Sequence, residues 1–399
     1  MDKFSLRTGP AFIITAAFIG PGSLTVCALA GVDFGFELLW AVLFSCLITI
    51  FLQNIVAGLS HKYNLGLIEL LKKKVSSKSL KSFFIGYILL TIFFGNTAYQ
   101  AGNISGSLIG LNKLLEIITP EFSQLINPFL LLIIGVILIS IILKQNIKLL
   151  KTILGIAVLL MSVSFLIAAI LTKPNLNDLL YGFFIPRWRP ETWSTIVAVL
   201  GTTIVPYNLF LHAWLVKKER SKNINFDSFK KDTITAVSFG GIISTSIVIA
   251  AAGANINELV SIDDLGTSLH NLYGQKSELF ISLGLFSAGL SSALTAPLAA
   301  AFIVQESLNE YSSKRKLQII VPILIIVSGL IFTFLDSNPF NLIRLAQILN
   351  GLMLPGITLF ISYLYFSVQK NSFDFKIRIF GLLLLFLFFT FLAFKILFL

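Results

Sequence analysis

Charged residues are scarce in this sequence of 399 residues, since only 12% are Asp, Glu, Lys or Arg. Soluble domains carry about 25%. Hydrophobic residues make up 56% of the chain. This balance excludes an ordinary soluble enzyme, a disordered chain and a nucleic-acid-binding protein. At roughly 20 residues per membrane span, the hydrophobic share supplies about eleven spans, which leaves no room for a large soluble domain.

The chemistry that most enzymes need is also missing. The two cysteines, Cys27 and Cys46, lie in apolar runs and form neither a disulfide framework nor a metal-finger spacing. We find no nucleophile–base pairing, no His-Glu-x-x-His motif, no paired intramembrane carboxylates and no glycine-rich phosphate loop. The sequence therefore predicts a protein that is not an enzyme, has no cofactor and does not hydrolyse ATP.

What the chain has instead is a series of long apolar runs, separated by polar, basic or proline-rich breaks. Lipid offers backbone groups no water, so each run is predicted to be helical. The fold class is an all-α polytopic membrane protein in a single transmembrane domain over 1–399, and 10–30 is interpreted as a retained first helix. The predicted spans are 10–30, 37–59, 83–106, 127–143, 149–172, 192–214, 233–253, 278–306, 317–335, 340–367 and 376–397.

The basic residues predict the orientation of the chain. With a cytoplasmic N-terminus, 23 of the 30 Lys and Arg residues fall in the N-terminal segment and in, or within three residues of, the loops after the even-numbered spans. Cytoplasmic loops carry such an excess. We therefore expect a multi-pass cell-membrane protein whose N-terminus is cytoplasmic and whose C-terminus is extracytoplasmic. Its expected partners are the lipid bilayer and a transported ion or small solute, with no nucleic acid and no obligate protein partner.

Two spans are interrupted near their middles. Span 1 contains Gly20, Pro21 and Gly22, and span 6 contains Pro206 within the run from Gly201 to Asn208. Proline removes a backbone donor and clashes with the preceding turn. Interrupted helices at matching places in two halves indicate a transporter built from inverted repeats. We expect repeats over about 10–172 and 192–367, with 376–397 as an extra helix.

These breaks are predicted to meet at mid-membrane. We expect the segments from Gly20 to Ser23 and from Thr202 to Tyr207 to be non-helical and adjacent, and to face a cavity with Gln347. Unwound backbone is tolerated at that depth only where it is buried in protein or lines a cavity.

The broken spans resemble those of the NRAMP (natural resistance-associated macrophage protein) divalent-metal transporters. Similar motifs occur elsewhere in the chain, and the resemblance covers nearly all of it. It implies a leucine-transporter-like fold and import of transition metals with protons. The similar segments are Gly9 to Phe12, Ile19 to Ser23, Leu38 to Trp40, Leu52-Gln53, Leu200 to His212, Ser291 to Thr295, Gln347 and Leu354-Pro355.

The departures from that family fall on the residues that carry its chemistry. Its span 1 reads Asp-Pro-Gly-Asn, whereas here Gly20 and Ser23 flank Pro21 and Gly22. Its span 6 reads Met-Pro-His, and here Val205 replaces the thioether that favours transition metals.

Residues associated with protons in that family have changed as well. The matching positions for two acids of span 3, which the family associates with proton passage, are Gln100 and Asn103. A histidine of the family is kept as His212, our candidate proton relay. None of the 19 Asp and Glu residues falls in the interior of spans 1, 3, 6 or 10.

The candidate site therefore offers only neutral oxygens. For a metal, the first candidates are the carbonyls freed at Gly20 and Thr202 and the side chain of Ser23. The candidate substrate-binding residues are Gly20, Ser23, Thr202, Val205, Tyr207 and Gln347, and the helix breaks are Pro21, Gly22 and Pro206.

The sequence is compatible with two functions. One is a divalent-cation carrier with altered selectivity and weak or no proton coupling. The other is a transporter of a small organic solute, or of a different ion, on the same scaffold. Free backbone N–H groups at the helix breaks could hold an anionic group in the second case.

Overall fold

The computed structural model describes residues 19–119, 127–144, 148–220, 225–254, 258–259, 261–308, 314–335, 338–369 and 373–398. Regular structure in these residues is helical. The helices are α1 (Pro21–Phe34), α2 (Leu39–Tyr63), α3 (Leu67–Lys74), α4 (Lys78–Ile118), α5 (Asn127–Lys144), α6 (Lys148–Leu171), α7 (Leu176–Phe184), α8 (Trp193–Thr203), α9 (Pro206–Arg220), α10 (Phe226–Ala252), α11 (Ile262–Thr267), α12 (His270–Tyr273), α13 (Ser277–Ser307), α14 (Lys314–Leu335), α15 (Pro339–Val368) and α16 (Phe373–Phe398).

The predicted all-α, multi-pass architecture is confirmed. Among the described residues, nine helical segments are long and apolar enough to cross a membrane, and α8 with α9 counts as one of them. Two shorter apolar helices, Pro21–Phe34 and Pro128–Leu143, occupy predicted spans 1 and 4. The first part of span 1, residues 10–18, lies outside the described residues.

The centre of the bundle is organised around α4, which has 41 residues and packs along α13, α15 and α14. Small residues make this close packing possible. A Cβ atom on Gly110 would lie 2.5 Å from the Phe286 nitrogen and 2.6 Å from the Ser282 carbonyl oxygen. Without large side chains in between, two helix backbones can approach closely in lipid, where packing drives helix association.

The periphery of the bundle is apolar and exposed. Large side chains of α16, such as Phe380 and Phe394, are more than half exposed, as are Phe334 and Leu335 on α14. Surfaces of this kind suit contact with lipid tails. Polar side chains lie on the inside instead: Ser23, Gln100, Thr202 and Gln347 are each at most 2% exposed.

We predict that the contact between α4 and α13 is sensitive to a single methyl group. Gly110→Ala should destabilise the protein by about 1–3 kcal/mol, because the new Cβ would meet backbone atoms of α13 that cannot move alone. Thermal unfolding in detergent, followed by tryptophan fluorescence, measures the effect.

Gly86→Ala is the matched control for that measurement, since Gly86 lies on the same helix and has no atom within 4 Å of an added Cβ. Its unfolding temperature should equal or slightly exceed that of the parent. Equal unfolding temperatures for the two variants would contradict the packing argument.

Candidate functional site

Span 6 is broken between α8, which ends at Thr203, and α9, which begins at Pro206. Ile204 closes the first half by donating its N–H to the Leu200 carbonyl at 2.8 Å. Pro206 has no N–H, so it cannot donate to the Thr202 carbonyl four residues earlier. The break therefore leaves this carbonyl without its helical donor in the middle of a span.

In the described part of span 1, the helix begins at Pro21, directly after the extended residue Gly20 (φ −131°, ψ −170°). Proline suits the first position of a helix, because its missing N–H would have no partner there and its φ is already helical. The Gly20 carbonyl accepts the N–H of Leu24 at 3.1 Å. Gly20 thus begins the helix in an ordinary way.

The predicted extent of both breaks is wrong. Pro21, Gly22 and Ser23 are helical, as are Thr202, Thr203, Pro206 and Tyr207. The reason is that proline starts a helix as readily as it ends the previous one. The Gly20 carbonyl is likewise not freed, since it accepts the Leu24 N–H. Ile204 and Val205 alone separate the two halves of span 6.

The two breaks are nevertheless adjacent in space. The Ser23 and Thr202 hydroxyl oxygens lie 3.0 Å apart and share a hydrogen bond, although 179 positions separate them in the chain. Next to them, the Ser45 hydroxyl donates to the Thr203 hydroxyl at 3.2 Å. These hydroxyl groups connect α1, α2 and α8 at the depth of the breaks.

Gln347, on α15, lies against both broken spans. Its amide group occupies the space next to Gly22 that any side chain at that position would need. A Cβ on Gly201 would collide with the Gln347 carbonyl oxygen in the same way. Within the described residues, the Gln347 side-chain oxygen has no hydrogen-bond donor. It is therefore available to a ligand between the broken spans.

The position of the family's span 1 carboxylate is enclosed by hydroxyl groups. A Cβ on Gly20 would lie 2.9 Å from the Ser292 hydroxyl oxygen and 3.8 Å from that of Tyr99. The Tyr99 ring meets Tyr207 edge to face, with the ring centroids 5.7 Å apart. Sequence reasoning missed Tyr99 and included Ser292 only within the family-like segment from Ser291 to Thr295. A polar aromatic residue within an apolar span was the available signal.

The remaining candidate residues lie close to this centre. Val205 is 1% exposed and presents an inert isopropyl group at the break itself. His212 lies on α9, six positions after Pro206, and is fully buried. Neither nitrogen of the His212 ring has a hydrogen-bond partner among the described residues. The structure therefore places His212 about one and a half turns beyond the break, without a hydrogen bond to the hydroxyl groups of Ser23, Thr202 and Thr203.

Span 3 has neutral amides at the positions that match the family's acids, and the Gln100 amide donates a hydrogen bond to a helix carbonyl. Its Nε2 donates to the Ala293 carbonyl at 3.1 Å. That carbonyl would normally accept from residue 297, which is a proline inside α13. Asn96 makes a similar bond to the Ala296 carbonyl at 3.3 Å. Gln100 thus replaces a helix donor that Pro297 removed, which a carboxylate could not do.

The site is closed and uncharged. Ser23, Thr202, Val205, Tyr207 and Gln347 are each at most 2% exposed, so neither side of the membrane has open access to them in this conformation. The described residues contain no group of three or more His, Cys, Asp or Glu side chains that could hold a metal. Hydroxyl, amide and carbonyl oxygens are the groups that this centre offers to a substrate.

Comparison with known proteins identifies a matching family and relatives of this chain. A family model described as natural resistance-associated macrophage protein-like matches residues 11–397. The divalent metal cation transporter MntH of Bacillus subtilis is 27% identical over 358 residues, which cover 85% of this chain and 79% of that protein. The natural resistance-associated macrophage protein 2 homolog of Dictyostelium discoideum is 26% identical over 89% of this chain. Only 57% of that longer protein is covered.

A solved structure supports the same placement at the level of fold. The manganese transporter of Eremococcus coleocola, in complex with an aromatic bis-isothiourea substituted compound, superimposes with a TM-score of 0.72 at 17% identity. The match covers 96% of this chain and 84% of that one. The leucine-transporter-like fold with broken spans 1 and 6 is thereby confirmed. The chain belongs to the natural resistance-associated macrophage protein-like (Nramp) family.

Proposed function

We propose that this chain is a secondary transporter that carries a divalent metal cation across the membrane, with altered selectivity and weak or no proton coupling. Family membership supports the substrate class, because the Bacillus subtilis relative is named as a divalent metal cation transporter. The departures at the site support the altered selectivity. The observation that carries the proposal is the hydrogen bond between Ser23 and Thr202, which joins the two helix breaks through neutral oxygens.

We assign the substrate to the space between the broken spans. The proposed contacts are the hydroxyls of Ser23 and Tyr207, the carbonyl of Thr202 and the amide of Gln347, with Gly20 and Val205 bordering the same space. Pro21, Gly22 and Pro206 create the breaks. The Thr202 carbonyl is the leading metal ligand of the set, because Pro206 removes its helical donor.

This ligand set favours a hard cation over a soft one. Copper, zinc, iron and nickel gain from soft sulfur or imidazole ligands, whereas oxygen donors suit magnesium, calcium and manganese. A divalent ion without a carboxylate partner is poorly compensated in the bilayer interior. We infer that the transported ion keeps part of its water shell, because Mg²⁺ in particular releases water reluctantly and is held through few direct ligands.

The proposed absence of proton coupling follows from the side chains of spans 3 and 6. Intramembrane acids normally carry protons in transporters. Here Gln100 is neutral and its amide is needed as a donor to the Ala293 carbonyl. His212 is the one candidate relay that we retain, because imidazole is the side chain whose unperturbed pKa lies nearest to neutral pH.

The second candidate function is transport of a small organic solute or of another ion on the same scaffold. The observation that favours it is the hydroxyl-rich, uncharged lining around Tyr99, Ser292 and Gly20. Neutral hydroxyl and amide groups also bind polar organic molecules through directed hydrogen bonds.

The orientation and the internal repeats complete the proposal. The distribution of basic residues supports a cytoplasmic N-terminus and an extracytoplasmic C-terminus. The helix start at Pro21 and the break between α8 and α9 support inverted repeats over about 10–172 and 192–367, with 376–397 as an addition. The chain acts as a single multi-pass domain in the cell membrane, without an obligate protein partner.

We predict that restoring the family's ligands increases affinity for Mn²⁺. The triple variant Gly20→Asp, Ser23→Asn, Val205→Met should bind Mn²⁺ at least about tenfold more tightly than the parent, or roughly 1.4 kcal/mol. The reason is that a carboxylate, an amide and a thioether would converge on one space. Isothermal titration calorimetry on purified protein measures the change, after size-exclusion chromatography has shown that the variant folds.

The matched control for that variant has Gly20→Asn in place of Gly20→Asp, which keeps the size and removes the charge. A new Cβ at Gly20 must displace the Ser292 hydroxyl in both proteins, so steric effects cancel. If the charged triple variant folds and binds Mn²⁺ no better than the neutral one, the assigned site is wrong.

We predict that substrate flux depends little on an imposed pH gradient. In proteoliposomes, a gradient of one pH unit should change the initial rate of divalent-cation uptake less than about twofold, because the site and span 3 carry no carboxylate. His212→Ala should retain most of the uptake. Robust proton movement with the cation, abolished by His212→Ala, would show that a single histidine is sufficient for coupling.

A further inference from the structure

The short helix α3 lies across the C-terminal ends of two spans that lead away from the candidate site. It contacts both α9 and α13, as well as α15. Leu67, Ile68, Leu70 and Leu71 are buried, while Lys73 and Lys74 are exposed. Such an amphipathic helix is well suited to lie at the inner end of the bundle, which the proposed orientation places on the cytoplasmic side.

An ion pair fastens α3 to α9. The Lys217 ammonium lies 2.5 Å from the Glu69 carboxylate, and both side chains are about 30% exposed. Glu69 also accepts the Gly66 N–H at 3.1 Å at the start of its own helix. Burial raises the pKa of Glu69, but the bonds from Lys217 and Gly66 outweigh it and hold the pKa below that of an ordinary glutamate. Glu69 is therefore a carboxylate at neutral pH.

A second set of contacts fastens α3 to α13. Lys72 donates to the carbonyls of Glu306 at 2.9 Å and Ser307 at 2.6 Å. These belong to the last turn of α13, whose carbonyls lack helical donors and whose dipole attracts cations. In the opposite direction, the Glu306 carboxyl packs on Gly66 at the N-terminus of α3. The positive end of the helix dipole, at the N-terminus, favours a carboxylate.

Helices α9 and α13 extend from the candidate site to the end of the bundle where α3 lies. Tyr207 and Lys217 are ten residues apart on α9, a distance of about 15 Å along a helix. Ser292 and Glu306 are fourteen residues apart on α13, or about 21 Å. Between these levels the Trp214 and Phe302 rings stack, with centroids 4.2 Å apart and an interplanar angle of 15°. The seam between α9 and α13 is thus closed below the site.

We propose that α3 is a latch that holds the inner ends of α9 and α13 together, and that its release opens the site to the cytoplasm. The inference rests on the proposed function only in requiring a transporter that alternates between conformations, whatever substrate it carries. A closed seam of this kind has to part if a substrate is to leave between these two helices. Breaking the Glu69–Lys217 pair then shifts the population toward the open form.

The test measures the separation of α9 and α13 at that end. Spin labels are placed at Lys218→Cys and Leu308→Cys, in a protein whose own cysteines are removed by Cys27→Ser and Cys46→Ser. Double electron–electron resonance in lipid nanodiscs without substrate gives the distance distribution. We expect Glu69→Gln and Lys217→Gln each to increase the long-distance population about two- to fivefold, since a partly exposed ion pair contributes a modest free energy.

The control variant is Asp227→Asn, which removes the carboxylate from the exposed pair Asp227–Lys230 on α10. Its distance distribution should match that of the parent. The parent protein supplies a further measurement that needs no variant, because high salt should screen the partly exposed pair and shift the distribution in the same direction.

Distributions that stay unchanged in Glu69→Gln, in Lys217→Gln and at high salt would overturn the latch. So would an equal shift in Asp227→Asn. Because no substrate is present, these outcomes are independent of the proposed substrate. If the distances show no latch, the prediction that the triple variant binds Mn²⁺ more tightly still stands. If the triple variant binds Mn²⁺ no better than its control, the distance measurement remains a valid test of the latch.

Discussion

Every backbone carbonyl in the bilayer interior needs a donor, and prolines in the middle of spans remove such donors. The chain answers this constraint in two ways. In α13, Pro297 leaves the Ala293 carbonyl without its helical donor, and the Gln100 amide donates a hydrogen bond to that carbonyl instead. In span 6, Pro206 leaves the Thr202 carbonyl without its partner, beside the Ser23–Thr202 hydrogen bond. The first case makes a packed interior, and in the second we propose that the substrate supplies the missing interaction.

The uncharged character of that place determines both halves of the proposed function. Glycines at 20, 22 and 201 let Ser292, Gln347 and the α15 backbone approach so closely that larger residues would collide. The resulting centre is compact, closed and composed of neutral oxygens. In the proposed function, a divalent cation there keeps part of its hydration, and a proton finds no carboxylate in this centre. Selectivity and coupling change together in this proposal, because this chain departs from the family's pattern both at the metal-ligand positions of spans 1 and 6 and at the span 3 positions associated with protons.

Much of the fold could be predicted from the sequence, because apolar runs of span length have one structural solution in lipid. The paired positions of Pro21 and Pro206 also pointed to the two broken spans. The extent of the breaks could not be predicted, because proline is compatible with the first turn of a new helix. The position of Tyr99 near Gly20 and the hydrogen bond that Gln100 donates to Ala293 both depend on how α4 packs against its neighbours. The Glu69–Lys217 pair joins residues 148 positions apart, which no local pattern indicates.

The central claim is that neutral oxygens between the helix breaks bind a divalent cation. Isothermal titration calorimetry of Mn²⁺, Mg²⁺ and a panel of small organic solutes tests it most directly, on the parent, Ser23→Ala and Thr195→Val. Ser23→Ala removes a hydroxyl that is a proposed contact, whereas Thr195 is a buried threonine of α8 outside the proposed contacts. The account predicts that a divalent cation binds the parent and Thr195→Val equally, and Ser23→Ala about tenfold more weakly. Binding of an organic solute with no binding of either cation would contradict it.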